Sequence, residues 1–147
     1  MTLLFDYMRG TRLLKNGENT MKMVTPLKKK FFNRDIRIGF YHNPDTGGLK
    51  GKYADASPLR EIFGVHHIKA HVFDNNVLIT GANLSEDYFT DRQDRCMVIQ
   101  DCEPLADYFD DLIHILTDCS YNLNDSGFLQ MLDNYPSPDK ATKKFKQ

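Results

Sequence analysis

His67-Ile68-Lys69, followed after four residues by Asp74 and then by Gly81-Ala82-Asn83, gathers a phosphate-handling set within 17 positions. The imidazole offers a nucleophile or general acid/base, the ammonium a permanent positive charge, and the amide a hydrogen-bond donor. Side chains alternate between faces along a β-strand, so a strand here turns His67 and Lys69 the same way. Asp74, seven residues past His67, has the opposite parity and is expected to fasten the turn Asp74-Asn75-Asn76. His71 shares the parity but lies too far along to reach the same phosphorus. His66, on the other parity, reads as a polar core or edge residue.

The elements that must hold these groups follow from patterning. Residues 2–7 read as a buried strand left by a turn at Arg9-Gly10. Residues 20–32 read as a helix that Pro26 should kink or split. An alternating strand covers 35–41, and 43–56, rich in glycine, is a loop. Ser57-Pro58 opens a short helix through Phe63. Strands are expected over 67–73, 77–80 and 94–100. An amphipathic helix over 104–117 turns Leu105, Tyr108, Phe109, Leu112, Ile113 and Leu116 inward. Strands separated by helices define an α/β domain with a mixed β-sheet flanked by helices.

At 147 residues the chain is long enough to bury a core without disulfides. A formal net charge of −1 argues against a nucleic-acid partner, although local basic clusters can still act. Cys96, Cys102 and Cys119 are odd in number and match no close zinc pattern, so reduced, partly buried thiols are expected. No apolar stretch reaches the roughly 20 residues that span a bilayer, which leaves peripheral membrane contact. The opening Met-Thr-Leu-Leu-Phe-Asp-Tyr has no basic region and is not a signal peptide.

His67-x-Lys69-x4-Asp74 with Gly81-Ala82-Asn83 resembles the signature of the phospholipase D superfamily. The run 79–95, Gln100-Asp101-Cys102, the opening 3–12 and Tyr41-His42-Asn43-Pro44 together resemble the eukaryotic phosphatidylglycerophosphate synthases, the CDP-diacylglycerol–glycerol-3-phosphate 3-phosphatidyltransferases. The resemblance covers about residues 2–120. It implies a phospholipase D-like half-domain at 1–120, leaving a C-terminal extension at 121–147 whose lysine-rich tail from Pro136 reads as disordered. It implies transfer of a phosphatidyl group from CDP-diacylglycerol to glycerol 3-phosphate, with no metal or other cofactor. It also implies residence in the mitochondrion, at the inner membrane.

The same resemblance assigns roles. His67 is the nucleophile that forms a phosphohistidine, and Lys69 and Asn83 hold the non-bridging oxygens. Asp74 completes the motif and joins the catalytic set on that ground alone. Asp94, eleven residues after Asn83, matches the acidic position that orients the imidazole; the alternative is an aspartate solvated or paired within Asp91-Arg92-Gln93-Asp94-Arg95. Arg9 and Arg12 either bind glycerol phosphate or the cytidine diphosphate, or are surface charges beside a turn. Ser85 is expected to cap the helix starting near Glu86 rather than to donate to phosphate. Lys28-Lys29-Lys30 reads first as a solvated helix end, second as a patch facing anionic lipid.

Family members carry two His-x-Lys motifs facing one site, and of the five histidines here only His67 is followed two residues on by lysine. The expectation is therefore a truncated form holding the first half of a bilobal enzyme, or a homodimer that supplies the second motif across a twofold axis. A catalytically inactive phospholipid-binding half-domain and a homodimeric phosphodiesterase are the alternatives.

Overall fold

The structure is a computed structural model that describes residues 1–14, 16–43 and 64–135. It is mixed α/β, with two sheets and four helices among the described residues, and divides into two compact units. One unit comprises residues 1–66 and 114–147, the other residues 67–113.

The larger unit is built on β1 (Thr2–Asp6) and β2 (Arg37–Tyr41), which pair in parallel. β6 (Tyr121–Leu123) joins β2 antiparallel, and β7 (Leu129–Gln130) pairs with β6. Sheet order is therefore β1-β2-β6-β7, a mixed sheet as expected. Ile36, Ile38 and Phe40 alternate along β2, and with Leu123 they form the buried core. The opposite face of β2 needs Gly39, because a Cβ there would sit 3.0 Å from Thr117 and 3.3 Å from Ser120. The end of α4 (Glu103–Asp118) thus lies directly on the sheet.

Residues 7–11 form the short helix α1 (Tyr7–Thr11) where a turn at Arg9-Gly10 was expected. Asp6 explains the difference, since its carboxylate accepts the Arg9 N–H at 2.8 Å and caps the first turn. Gly10 is buried because a Cβ would meet the Phe40 ring at 2.7 Å. α2 (Thr20–Lys30) runs unbroken through Pro26, with Asn19 as its cap. The proline removes one backbone donor without dividing the helix, which Met21 and Val24 anchor against the core.

The smaller unit holds an antiparallel sheet of β3 (Ala70–Phe73), β4 (Asn76–Thr80) and β5 (Cys96–Ile99), in the order β3-β4-β5. A two-residue turn, Asp74-Asn75, joins the first two strands, and Asp74 takes the left-handed φ of 51° that aspartate tolerates. α3 (Glu86–Thr90) sits between β4 and β5 in the chain. The helix expected over 57–63, most of the loop over 43–56 and the tail from Pro136 lie outside the described residues. One expectation is corrected. Tyr108 on α4 is 60% exposed, while Ala106 and Thr117 are the residues fully inside. β6 begins at Tyr121, just past residue 120, and buries Leu123.

Candidate phosphate-handling site

Antiparallel pairing brings the sequence-distant candidates to one end of the smaller sheet. Ala70 faces Ile79, and Thr80 faces Cys96. The Thr80 N–H donates to the Lys69 carbonyl at 3.1 Å, which extends the β3–β4 ladder by one rung. Beyond these pairs the ladder ends, and Asp94 is placed instead by its close approach to Gly81.

β3 begins at Ala70, three residues after His67, rather than at His67 itself. The ladder stops because the chain leaves β4 at Gly81, so the alternation argument governs Lys69 and His71 but not His67. Lys69 folds back instead, its Nζ donating to the His67 carbonyl at 3.1 Å. Ammonium and imidazole are thus tied through the backbone, and the His67 side chain is exposed.

The connection after β4 is shaped by two contacts. The Thr80 hydroxyl accepts the Ala82 N–H at 3.1 Å and closes the turn. A Cβ on Gly81 would lie 2.5 Å and 2.7 Å from the Asp94 carboxylate oxygens, so only glycine lets that carboxylate settle there. Asp94 also accepts the Arg95 N–H at 2.6 Å. Its neighbour in the charged run, Arg92, is occupied elsewhere, 3.9 Å from Asp87 and stacked 5.1 Å over Tyr88. Asn83 is half-buried beyond the turn. Ser85 holds the cap position of α3, but its side chain makes no capping bond.

Asp74 stands at the opposite end of β3, in the hairpin turn, about 20 Å from His67 at 3.3 Å per residue. Its parity and its place agree: it belongs to the turn, and the geometry separates it from the His67–Lys69–Asn83–Asp94 end. Arg9 and Arg12 lie in the larger unit, at α1 and its C-terminal cap, and both are exposed. His66, also in the larger unit, is half-buried with its ring 5.7 Å from Tyr41.

Sequence reasoning passed over the contacts of two side chains. Asp6 uses both carboxylate oxygens, one on Arg9 and the other on the His66 N–H at 2.9 Å, immediately before the motif. Its capping signal was present in Asp6-x-x-Arg9. Cys96, expected to be partly buried, is exposed and donates to the Thr80 hydroxyl at 3.2 Å. Among the described residues no group of three His, Cys, Asp or Glu is arranged to hold a metal ion. No helix among them is long and apolar enough to cross a membrane.

The chain is homologous over nearly its whole length to proteins named CDP-diacylglycerol--glycerol-3-phosphate 3-phosphatidyltransferase. It is 37% identical to the mitochondrial one of Mus musculus over 141 residues, which is 96% of this chain and 25% of that protein. It is 34% identical to a probable one of Dictyostelium discoideum over 140 residues, 95% of this chain and 24% of that protein. The protein of Schizosaccharomyces pombe is 40% identical over 107 residues, 73% of this chain and 20% of its own length. The chain thus spans about a quarter of the length of the curated relatives it matches. Alignments of 140 residues or more also reach past residue 120, where the motif resemblance stopped. No family model and no solved structure matches the chain.

Proposed function

We propose that this chain is part of a transferase that moves a phosphatidyl group from CDP-diacylglycerol to sn-glycerol 3-phosphate. The products are phosphatidylglycerophosphate and CMP, in the route to phosphatidylglycerol and cardiolipin. The observation that carries the reading is the 37% identity to a transferase of that name across 96% of the chain. The grouping of His67, Lys69, Asn83 and Asp94 at one sheet end supports it and supplies the chemistry.

In this mechanism, of phospholipase D type, a His67 ring nitrogen attacks the phosphorus that carries the diacylglycerol. The bond to the CMP oxygen breaks, CMP leaves with a proton from a second imidazole, and a phosphohistidine remains. The glycerol 3-phosphate hydroxyl then attacks phosphorus, gives its proton back to that second imidazole and releases His67. Lys69 and Asn83 hold the non-bridging oxygens, and Asp94 steadies the imidazolium from its place against Gly81. Arg9 and Arg12 are assigned to the phosphates of glycerol phosphate or of the cytidine diphosphate.

The second imidazole lies outside this motif, since no other histidine here precedes a lysine by two residues. Further sequence of a longer protein, or a second copy of the chain, would supply it. The names of the mammalian relatives point to the mitochondrion, and the lipid substrate to its inner membrane by peripheral contact.

Incubation with CDP-diacylglycerol labelled in its lipid phosphate tests the reading. Wild type should retain an acid-labile label, and His67→Ala should retain none. A folded sample that holds both imidazoles and takes up no label would favour a phospholipid-binding module without turnover. Labelling that survives His67→Ala would remove His67 as the nucleophile.

A further inference from the structure

α2 presents two different faces. Met21, Val24 and Lys28 turn inward, and the Lys28 ammonium lies 3.6 Å from Asp125. The opposite side carries Lys22, Met23, Pro26, Lys29 and Lys30, all exposed, with the Lys22 ammonium donating to the Gly17 carbonyl at 2.6 Å and the Lys30 ammonium 5.5 Å from the Phe31 ring. At 100° per residue these five fall within one arc of about 120°. Lys22 and Lys29 stand two turns apart, about 10 Å along the axis. Between them lies a shallow, open cleft that Ser126 and Gly127 also line. Gly127 takes a φ of 88°, and a Cβ there would meet the Thr25 methyl at 3.1 Å, so the loop approaches the helix closely.

Large apolar side chains flank the ammonium groups. Met23 is 66% exposed in mid-helix and Phe32 is 74% exposed just past its end. The exposed acids nearest in sequence are Glu18, before the helix, and Asp35, three residues after Phe32, while Asp125 is engaged by Lys28. A protein partner with an acidic groove would match the charge, but it would more usually leave a single contiguous apolar centre to bury. Interspersed lysines and protruding apolar groups instead suit an interface in which cations meet headgroups while Met and Phe enter the acyl boundary.

We propose that the exposed face of α2, with Phe32, docks this chain onto an anionic lipid surface, Lys22 and Lys29 straddling a headgroup phosphate in the cleft. This rests on the reading of the chain as part of a lipid transferase and names the surface that holds it to its substrate's membrane. Lys28 takes no part, being turned to Asp125. The surface differs from the His67 end of the smaller sheet.

Co-sedimentation of the chain with vesicles tests this directly. Binding should be firm on phosphatidylcholine mixed with phosphatidylglycerol, weak on phosphatidylcholine alone, and released by added salt. At about fivefold per ammonium near an anionic surface, Lys22→Gln/Lys29→Gln/Lys30→Gln should weaken binding about a hundredfold. Met23→Ser/Phe32→Ser should weaken it severalfold on anionic vesicles without changing its salt dependence. His67→Ala should bind vesicles as wild type does while losing the phosphorus label, so docking and chemistry fail separately. Equal binding to neutral and anionic vesicles, no binding to either, or a folded triple variant that binds like wild type would each overturn the proposal. The last outcome would point to a protein partner.

Discussion

Within the unit built on β1, β2, β6 and β7, Ile38 and Phe40 are 1% and 0% exposed, and helices cover both faces of β2. Within the unit built on β3, β4 and β5, Val77 alone among the strand residues is fully inside. Phe73 is 66% exposed there, and Met97 and Val98 are each 57% exposed. The candidate chemistry sits on the second, thinly covered sheet. Packing that fixes a fold and the groups proposed for chemistry are thus allotted to different parts of one short chain, and sites are commonly drawn from regions of low local stability.

Three tests sharpen or break that contrast. The largest effect is expected in the first unit, where Phe40→Ala leaves a void beneath Phe5, 5.5 Å away ring to ring. It should cost about 3–5 kcal/mol in denaturant unfolding, whereas Met97→Thr on the open sheet should cost less than about 0.5 kcal/mol. Comparable losses would show that the second sheet is covered in solution. An intermediate effect belongs to Gly81→Ala, whose new Cβ displaces the Asp94 carboxylate. Phosphorus labelling should fall about a hundredfold, as for an ångström-scale misplacement, with little change in melting temperature. Adding Asp94→Ala should lower it no further, and undiminished labelling in Gly81→Ala would detach Asp94 from the site.

The smallest effect concerns Cys119. Burial first, and the Asp118 carboxylate second, hold its thiol above the ordinary value of 9.0. The folded chain therefore keeps this proton after the unfolded chain has lost it. Its contribution is complete below pH 9 and declines as pH rises through the folded value. Stability measured against pH should fall more steeply above pH 9 for wild type than for Cys119→Ala. Parallel curves would mean that the thiol is solvated.

Legibility in the sequence followed the range of the interactions. β1, β2, β4 and α4 came through because their periodicity is local, and Asp74 because turn chemistry and strand parity are both short-range. The expectation for His67, Lys69, Asn83 and Asp94 came from residue types and a resemblance to a family signature, and the structure sets Lys69 beside Thr80 and Asp94 against Gly81. The three-residue β6 carries too little pattern to announce itself and exists because β2, some 80 residues earlier, offers an edge. The start of β3 depends on where β4 turns away, and the need for glycine at 81 depends on a carboxylate 13 residues later. Neither is written in any local window.

The Asp74-Asn75 turn has a reach out of proportion to its size. Two residues between β3 and β4 fix which partners meet across that pair, all the way to Lys69 beside Thr80. One residue inserted there would slide the pairing and swing the Lys69 ammonium to the other side of the ribbon. An aspartate that touches no phosphorus would in this way act as the gauge that keeps the distant cation in register with its anion.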